Sequence, residues 1–372
     1  MTAVTLKREY AAASRFSLLA DTGLLLPITD YDKIILAFSG GKDSLAAGLL
    51  LLDMGVPRHK IEWWHQRIDG DRPGLFDWPC TESYCEAVAH ALGITVRYQW
   101  KDGGFEGELH RQDAMTKGVY YQDGNGVTQY LPPAKPGTYC PDCRRMYDGD
   151  EPSCVDCGTQ RDGYGTRMKY PQRTSNLQTR WCSAYIKIDV CKRTICNDPR
   201  FASGNILMIT GERRQESTAR SGYDEALPHL STNRKRRVDQ WRAVIDWTEE
   251  DVWAIIRKHR IVPHPAYRLG FGRVSCMFCI FGDYDQWATV RQLDPRRFKR
   301  HAANERRFGL TIKQNMSVVQ QADKGTSFAA DAPPWLVDLA MSTAYPLSEA
   351  LVPKTGTWEL PAGAYKRCGG PT

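Results

Sequence analysis

A glycine-rich segment near the beginning of the chain has the composition of an anion-binding loop. Residues 39–44 read SGGKDS, between an apolar run at 33–38 and an Ala- and Leu-rich segment at 45–54. The apolar run predicts a buried strand and the later segment a helix, for which Ser44 or Asp43 can be the N-cap. Two glycines let the backbone approach a ligand closely, and the free N–H groups of a helix start bind phosphate. The candidate phosphate-binding residues are Ser39, Gly40, Gly41, Lys42, Asp43 and Ser44.

Three arginines and an aspartate are predicted to lie at one edge of the same sheet. The run NILMIT at 205–210 predicts a second buried strand, and GERRQESTAR follows it with Arg213, Arg214 and Arg220. Because guanidinium groups bind phosphate or sulfate through paired hydrogen bonds, these arginines are candidates for stabilising an oxyanion, with a solvated charged turn as the alternative. Asp69 ends a further predicted strand at 60–69, and it either lies near the same ligand or belongs to a surface loop.

Two CxxC pairs predict a zinc ribbon. Cys140 and Cys143 are followed, ten residues later, by Cys154 and Cys157. Four thiolates on short turns supply tetrahedral ligands and can fold a small ribbon with almost no core. Zinc is the predicted metal, with an iron centre or disulfides as alternatives. The ribbon either binds nucleic acid or a protein partner, or it stabilises a long insertion.

The periodicity of the chain predicts an α/β fold. Apolar runs and helical patterns alternate up to residue 100, fail between 101 and 180, and resume afterwards with a strand at 205–210, a strand-like segment at 241–247 and a helix at 248–259. We therefore predict a doubly wound, mainly parallel sheet with an inserted zinc ribbon and a mostly helical C-terminal region. The predicted divisions are 1–125 and 177–265 for the nucleotide-binding domain, 126–176 for the ribbon, and 266–372 for the last region.

Composition favours a polyanionic ligand. The chain has 372 residues, 42% of them hydrophobic, and a net charge of +7, so it can bury a large core and attract a nucleotide or nucleic acid. The basic run at 234–237 either touches such a polyanion or is ordinary surface. No apolar run of membrane-spanning length and no secretory signal is present, so we predict a cytoplasmic protein without a membrane partner.

Four motifs taken together resemble the 3'-phosphoadenylyl sulfate (PAPS) reductase family of the ATP pyrophosphatase superfamily. They are SGGKDS, RWCSAYIKID, GERRQESTAR and VIDWTEEDVWAIIRKHRIVPHPAYRLGFGRVSCMFC. The resemblance implies that the first motif binds nucleotide phosphates and that the third binds the phosphate or sulfate end of the substrate. It also implies that Cys182, Cys276 and Cys279 hold a 4Fe-4S cluster. A second zinc site or a redox pair is the alternative for Cys276 and Cys279.

The departures from that family define the branch. Cluster-containing reductases carry two adjacent cysteines where this chain has Trp181-Cys182, so the fourth ligand is Cys191 or Cys196, or one iron is open. Reductases also tend to have a degraded glycine loop, whereas an intact SGGKDS implies that ATP is consumed. Reductases also end in a nucleophilic cysteine, and the sequence around Cys368 resembles that motif only faintly. An intact loop with cluster cysteines is similar to the ATP pyrophosphatase subunit of bacterial DNA phosphorothioation systems.

That resemblance implies an enzyme that uses ATP and Mg²⁺ to adenylylate an oxygen, expected on a DNA backbone phosphate, with release of pyrophosphate. Lys42, Arg213, Arg214 and Arg220 would stabilise the developing charge. The implied partners are DNA, a sulfur donor such as a cysteine desulfurase, and other subunits of the modification system. The alternatives are a thiol-dependent PAPS or adenylyl sulfate reductase that uses Cys368, a transfer-RNA thiolation enzyme, and a non-catalytic nucleotide-binding subunit.

Overall fold

An eight-stranded sheet lies at the centre of the computed structural model, which describes residues 3–71, 74–133, 139–140, 142–143, 145–146, 152–160 and 164–366. The strands in chain order are β1 Lys33–Ala37, β2 Ile61–Arg67, β3 Thr95–Lys101, β4 Ala114–Met115, β5 Val119–Gln122, β6 Thr128–Leu131, β7 Tyr139–Cys140, β8 Arg145–Met146, β9 Tyr164–Gly165, β10 Gly204–Ile209, β11 Ala226–Pro228 and β12 Arg236–Trp241. Across the sheet the order is β11, β12, β10, β1, β2, β3, β5, β6, while β4 pairs with β9 and β7 with β8.

Helices cover both faces of this sheet and form much of the C-terminal region. In chain order they are α1 Ala3–Asp21, α2 Lys42–Asp53, α3 Thr81–Leu92, α4 Gly104–Leu109, α5 Trp181–Ser183, α6 Asp189–Asn197, α7 Thr218–Ser221, α8 Glu249–Lys258, α9 Pro265–Leu269, α10 Tyr284–Leu293, α11 Pro295–Phe308, α12 Val318–Asp323 and α13 Pro334–Met341. A π-helix, Ala184–Ile188, joins α5 to α6. No helix in the described parts of the chain is long and apolar enough to cross a membrane.

The winding of the sheet places two functional segments side by side. Strands β12, β10, β1, β2 and β3 run parallel, and β1 pairs with β2 on one side and with β10 on the other. The chain therefore reverses its winding direction between β1 and β10, the position at which open parallel sheets bind ligands. Leu36 is level with Ile209, so the segments that follow β1 and β10 leave the same edge of the sheet as neighbours. The predicted doubly wound, mainly parallel sheet is confirmed.

Apolar residues fill both faces of the central strands, as expected for a buried parallel sheet. In β1, Ile34 and Leu36 face the larger core, whereas Ile35 faces a smaller core with Trp64 and Ile195. Helix α2 packs on the larger-core side, where Gly48 lies against Trp63 and Leu36. This two-sided burial explains why the strands appear in the sequence as unbroken apolar runs.

The start of α2 differs from the sequence prediction. The helix begins at Lys42, three residues before the predicted start, and its N-cap is Gly41, which has no side-chain cap hydrogen bond. The hydroxyl of Ser44 donates instead to the carbonyl oxygen of Gly41, and the Asp43 carboxylate pairs with an arginine across the sheet edge. The predicted capping role of Ser44 or Asp43 is therefore wrong, because both residues lie inside the helix, where Ser44 bonds to the Gly41 carbonyl oxygen and Asp43 pairs with Arg213.

The strand-like segment predicted at 241–247 is also wrong, because the strand ends at Trp241 and a turn follows. Arg236 and Arg237, the second half of the preceding basic run, belong to this strand, where β12 pairs with β10. Arg236 is buried and donates to the carbonyl oxygens of Ser231, Ile195 and Phe201. Arg236 is therefore a structural residue. It joins the loop before β12 to α6 and to the segment that follows α6.

The sheet continues past residue 125, where the sequence placed the start of the insertion. Strands β5 and β6 extend it in antiparallel fashion from β3. The ribbon proper follows as the β7–β8 pair, and β9 then returns to pair with β4. The last region was predicted to be mostly helical, and α10 to α13 lie in it. The last described residues pack back on α9, because Gly363 N–H donates to Tyr267 O at 2.8 Å.

We predict that Gly48→Ala destabilises the protein. A Cβ at this position would lie 2.7 Å from Trp63 Cζ2 and 2.8 Å from Leu36 Cδ2, both within the core. Overpacking of this kind costs about 1–3 kcal/mol, which outweighs the gain of about 1 kcal/mol in helix propensity. Urea unfolding measures the change. Gly222→Ala is the control, since its Cβ meets nothing within 4 Å; equal stability of both variants would contradict the predicted packing.

We predict that buried histidines make the protein acid-sensitive. Burial lowers the pKa of His65 to about 4 and those of His264 and His301 to about 3. Since the unfolded chain binds these protons near pH 6.5, stability falls as pH decreases from about 6.5 towards 4, by up to about 1.4 kcal/mol per pH unit per histidine. Urea midpoints against pH measure the slope. His301→Phe should reduce this slope by the contribution of one proton, whereas His90→Phe, at an exposed position, should leave it unchanged. An unchanged slope in His301→Phe would refute the assignment.

Candidate active site

Lys42 lies at the centre of the candidate site as a buried cation. Its side chain is 5% exposed, and its ammonium group lies 3.6 Å from Asp43 Oδ2, 3.7 Å from Glu249 Oε1 and 3.3 Å from the carbonyl oxygen of Gly272. Its backbone N–H donates to the hydroxyl of Tyr267 at 3.0 Å. Lys42 therefore joins the glycine loop to α8, to α9 and to the segment that follows α9.

The glycines of the loop allow close backbone packing. Gly40 has φ +76°, a conformation that favours glycine, and a Cβ there would lie 3.1 Å from Cys85 Sγ. A Cβ at Gly41 would lie 3.2 Å from the carbonyl oxygen of Val274. Ser39 and Ser44 close the turn, with their hydroxyl oxygens 3.3 Å apart. The predicted loop residues are thus brought together at the end of β1.

Arg213 connects the segment after β10 to this loop. Its Nε donates to Asp43 Oδ1 at 2.5 Å, and its Nη1 donates to Gln215 Oε1 and to the carbonyl oxygen of Trp247. The other two predicted arginines have different partners. Arg220 pairs with Glu216 on its own segment, whereas Arg214 pairs with Asp246 and Tyr223 O and is a third exposed. The structure therefore brings Arg213 to the loop, keeps Arg220 nearby and turns Arg214 towards the surface.

The charges at the loop are fixed by mutual attraction. Burial alone lowers the pKa of Lys42, but Asp43, Tyr267 and Glu249 raise it, and the net shift is upward. Burial alone raises the pKa of Asp43, but Lys42 and Arg213 lower it more, and the net shift is downward. Both groups are therefore charged at neutral pH. The site holds a permanent buried cation that an anionic ligand can approach.

Glu249 is a site residue that the sequence analysis missed. The motif TEED was interpreted only as a helix start, and Thr248 and Asp251 do form that capping box. Glu249 Oε1 points the other way, where it lies near Lys42 and accepts hydrogen bonds from Trp253 Nε1 and from the backbone N–H of Tyr365. Acidic residues are common at helix starts, so only the fold distinguishes this carboxylate from its neighbours.

Asp69 organises a loop at the end of β2. Its carboxylate accepts the backbone N–H groups of Phe76 and Asp77, at 3.1 and 2.8 Å. Burial raises the pKa of Asp69, and these hydrogen bonds oppose the rise without cancelling it. Asp69 also borders a cavity of about 240 Å³ together with Glu106, His110 and Lys117. No contact between Asp69 and the glycine loop is present among the described residues, so its predicted nucleotide role remains a proposal.

Three cysteines lie in one region beside the glycine loop, with sulfur atoms that are not all within 4.8 Å of one another. Cys276 and Cys279 lie in the segment that covers the glycine loop, and Phe278 N–H between them donates to Phe76 O at 3.0 Å. Cys182 lies on α5, directly before the π-helix. Burial raises the pKa of the Cys182 thiol to about 11 and that of Cys276 well above its usual value, and Cys279 raises both further. The structure thus brings Cys182, Cys276 and Cys279 into mutual electrostatic range.

The charges of three cations act on these cysteines. Lys187 lies near both Cys182 and Cys276 and opposes the rise in their pKa, Arg180 lies near Cys182, and Arg173 lies near Cys279. All three come from one segment of fifteen residues, 173–187. The π-helix contributes to this arrangement, since its wider turn rotates the residues that follow Cys182 relative to an α-helix.

Cys191 does not join this group. It packs in the smaller core with Ile35, Trp64 and Ile195, on the opposite face of the sheet from Cys182. The sequence prediction of Cys191 as fourth ligand is therefore not supported by its position. Cys196, the alternative, is exposed near the other end of α6, where Arg236 Nη2 donates to its sulfur. Cys368 lies outside the described residues.

The four ribbon cysteines form a metal-sized tetrahedron. Their sulfur atoms all lie within 4.8 Å of one another, with 3.8 Å between Cys140 and Cys157 and 3.7 Å between Cys143 and Cys154. A tetrahedral site with metal–sulfur bonds of about 2.3 Å has edges of about 3.8 Å, whereas a disulfide is about 2.05 Å long. The backbone N–H of Cys143 also donates to Cys140 Sγ. This donor set fits zinc, and an iron centre has the same requirement.

With this geometry defined, comparison with known proteins places the central part of the chain. Residues 159–281 match the family model of the phosphoadenosine phosphosulfate reductase domain. This region is similar to that reductase domain. The match includes Arg213, Arg220 and the cysteines 182, 276 and 279, but it begins after the glycine loop. The match covers 123 of the 372 residues and does not include residues 39–44.

The similar proteins are distant. The chain is 24% identical over 280 residues to an uncharacterized 37.8 kDa protein of Escherichia phage 186, which covers 73% of this chain and 74% of that protein. It is 32% identical over 80 residues to the adenosine 5'-phosphosulfate reductase of Neisseria meningitidis serogroup A, or 22% of this chain and 31% of that enzyme. It is 26% identical over 98 residues to the enzyme of the same name from Allochromatium vinosum, which covers 26% of this chain and 34% of that enzyme. The chain thus spans about a third of the length of these reductases.

We predict that Cys143→Ser removes one metal ion per chain. Loss of one of four thiolates leaves a site that cannot complete a tetrahedron, so metal affinity at the ribbon should fall by orders of magnitude. Elemental analysis of the purified protein for zinc and iron measures the change. Cys196→Ser is the matched control, because this exposed cysteine lies outside both cysteine groups. Equal metal content in the two variants would exclude the four-cysteine site.

Proposed function

We propose that this protein is an ATP pyrophosphatase that adenylylates an acceptor oxygen and releases pyrophosphate in a sulfur-transfer pathway, with DNA phosphorothioation as its setting. The observation that carries the proposal is the buried Lys42 ammonium at the switch point between β1 and β10, flanked by Arg213. Two fixed cations and a helix start at this position are suited to a leaving pyrophosphate. The reductase-like similarity supplies the sulfur chemistry.

The ion network suggests how a triphosphate enters. Lys42 and Arg213 are neutralised by the carboxylates of Asp43 and Glu249, so a nucleotide phosphate competes with carboxylates for the same cations. Magnesium would resolve this competition, since it binds carboxylate and phosphate oxygens together. Asp43 and Glu249 are the residues that would hold the ion, and the ion would supply charge neutralisation to the nucleotide phosphates. Lys42 and Arg213 would then bind phosphate oxygens directly.

The group of Cys182, Cys276 and Cys279 is the proposed cluster site, although its sulfur atoms are not as close together as those of the ribbon. Protonated thiols do not need counter-ions, yet the charges of three cations act on this group. Three thiolates do require that charge, and a metal is the usual reason for thiolates in a buried site. A 4Fe-4S cluster held by these three cysteines would supply a place for sulfur next to the activated oxygen. Among the described residues, the thiols that act on Cys182 and Cys276 belong to this same group, so one iron is proposed to be open.

The proposed partners follow from the proposed chemistry. A cytoplasmic DNA duplex would present the backbone oxygen, with transfer RNA as the variant, and a cysteine desulfurase and other modification subunits would supply and place the sulfur. The net charge of +7 favours such a polyanionic partner. The four-cysteine ribbon is the proposed contact with nucleic acid or with a partner subunit.

A second candidate function is reduction of an adenylyl sulfate, and one observation favours it. Lys366, the last described residue, lies against Gly272, where a Cβ would be 2.3 Å from the Lys366 carbonyl oxygen. Gly272 in turn accepts a hydrogen bond from Lys42. Cys368 follows two residues later, so the described chain ends at the candidate site. Sulfite release from adenylyl sulfate that is lost in Cys368→Ser would support this function over the first.

We predict that Lys42→Ala reduces pyrophosphate formation from ATP by at least about 100-fold. Removal of a preorganised charge at the developing anion typically costs this much or more. Ser39→Ala should reduce turnover as well, by a smaller factor. The measurement is pyrophosphate release from ATP in the presence of DNA, transfer RNA or a sulfated nucleotide, with anaerobically purified protein.

Lys299→Ala is the control, because this lysine is exposed on α11. It should retain full turnover. Unchanged rates in both Lys42→Ala and Ser39→Ala would contradict the pyrophosphatase assignment. Sulfite release without ATP consumption would instead favour the reductase.

A further inference from the structure

Helix α11 carries a line of arginines on the side opposite its buried face. The helix packs into the core through Phe298, Ala302 and Glu305. Because successive residues of an α-helix are about 100° apart, positions 296, 300, 303 and 307 point in the opposite direction. All four positions are exposed, and we call them the outer stripe: Arg296, Arg300, Ala303 and Arg307.

The acidic residues of this helix lie away from the outer stripe. Glu305 is buried, and its carboxylate accepts two backbone N–H groups at 2.8 Å. Asp294, the N-cap, pairs with Arg297 on the flank of the helix. Among the described residues, the salt bridge that reaches the outer stripe joins Arg300 to Glu106, and these side chains are 49% and 41% exposed. Exposed pairs are weak, so a phosphate can replace this carboxylate.

The inner side of α11 is fixed to the segment between Cys276 and Cys279. Arg297 Nη2 donates to Met277 Sδ at 3.2 Å, and the ring of His301 stacks on the ring of Phe278 with centroids 4.5 Å apart. An α-helix with its side chains is about 10–12 Å across. A polyanion on the outer stripe would therefore lie beside the candidate site, separated from the cysteine segment by the thickness of one helix.

The outer stripe has the charge and length of a contact with duplex DNA. From position 296 to position 307 it extends about 16 Å along the helix axis, and duplex DNA carries one phosphate per about 1.7 Å of its own axis. The apolar face of α11 is buried, so this helix lacks the exposed apolar face with which basic helices enter membranes. Its exposed side chains also lack the aromatic rings on which single strands stack.

We propose that the outer stripe of α11 binds the phosphate backbone of duplex DNA and holds the acceptor beside the candidate site. Guanidinium groups bind phosphate oxygens through paired hydrogen bonds. This inference rests on the proposed function, because it identifies the acceptor of that reaction as a polymer. A small sulfated nucleotide bound at Lys42 would leave the outer stripe without a role.

The test measures binding of a short fluorescent DNA duplex by the full-length protein without ATP, by anisotropy at several salt concentrations. Arg307→Gln should weaken binding by about three- to tenfold and reduce the salt slope by about one. Arg306→Gln is the matched control, because this exposed arginine lies about 100° around the helix from Arg307, and it should change binding by less than about twofold. Glu106→Gln removes the carboxylate beside Arg300 and should strengthen binding.

Equal affinities of Arg307→Gln and Arg306→Gln would overturn the proposal, because only the overall charge of the protein would then matter. Tighter binding of transfer RNA or of a single-stranded oligonucleotide than of the duplex would also overturn it. If Arg307→Gln does not fold, Arg296→Gln is the second variant. The proposed function fails separately: duplex binding that depends on Arg307, in a protein that releases no pyrophosphate from ATP, would support the docking surface and contradict the pyrophosphatase.

Discussion

The burial of the Lys42 ammonium is the constraint on which the rest of the site depends. A cation that is 5% exposed must be neutralised, and its partners come from four segments: Asp43 from the loop, Glu249 from α8, Tyr267 from α9 and Gly272 from the segment after it. Each partner fixes the position of its own segment. The glycine loop, the segment after β10 that carries Arg213, and the segment after α9 that carries Cys276 and Cys279 are consequently assembled around one charge.

The sequence predicted the central fold because the determining signals were local. The positions of β1, β2, β10 and α8 follow from apolar runs and periodicity that involve only neighbouring residues. Errors occurred where a distant element decided the outcome. Trp241 ends its strand because β12 pairs with β10 in a register that local propensity does not encode. Likewise, the sheet extends through β5 and β6 by antiparallel pairing that a segment rich in Gly, Tyr and Pro conceals.

The site was predictable as a set of motifs but not as a set of partners. The spacing of the four ribbon cysteines was sufficient, because short-range ligands make a local structure. Arg213 and Arg214 look alike in sequence, yet only Arg213 reaches Asp43, because adjacent residues point in different directions at the end of a strand. Glu249 was missed because acidic residues are common at helix starts, so nothing local distinguished it from its neighbours.

Glycines make this assembly possible by allowing backbone to approach backbone. A Cβ at Gly211 would lie 2.6 Å from Ser44 N, and one at Gly272 would lie 2.3 Å from Lys366 O. The first contact brings the segment that carries Arg213 against the glycine loop. The second brings the last described residues against Gly272, which accepts a hydrogen bond from Lys42. A side chain at either position would separate the segments and leave Lys42 with fewer partners. The glycines outside SGGKDS therefore contribute to the electrostatics of the site as directly as its charged residues, since they set the distances over which those charges act.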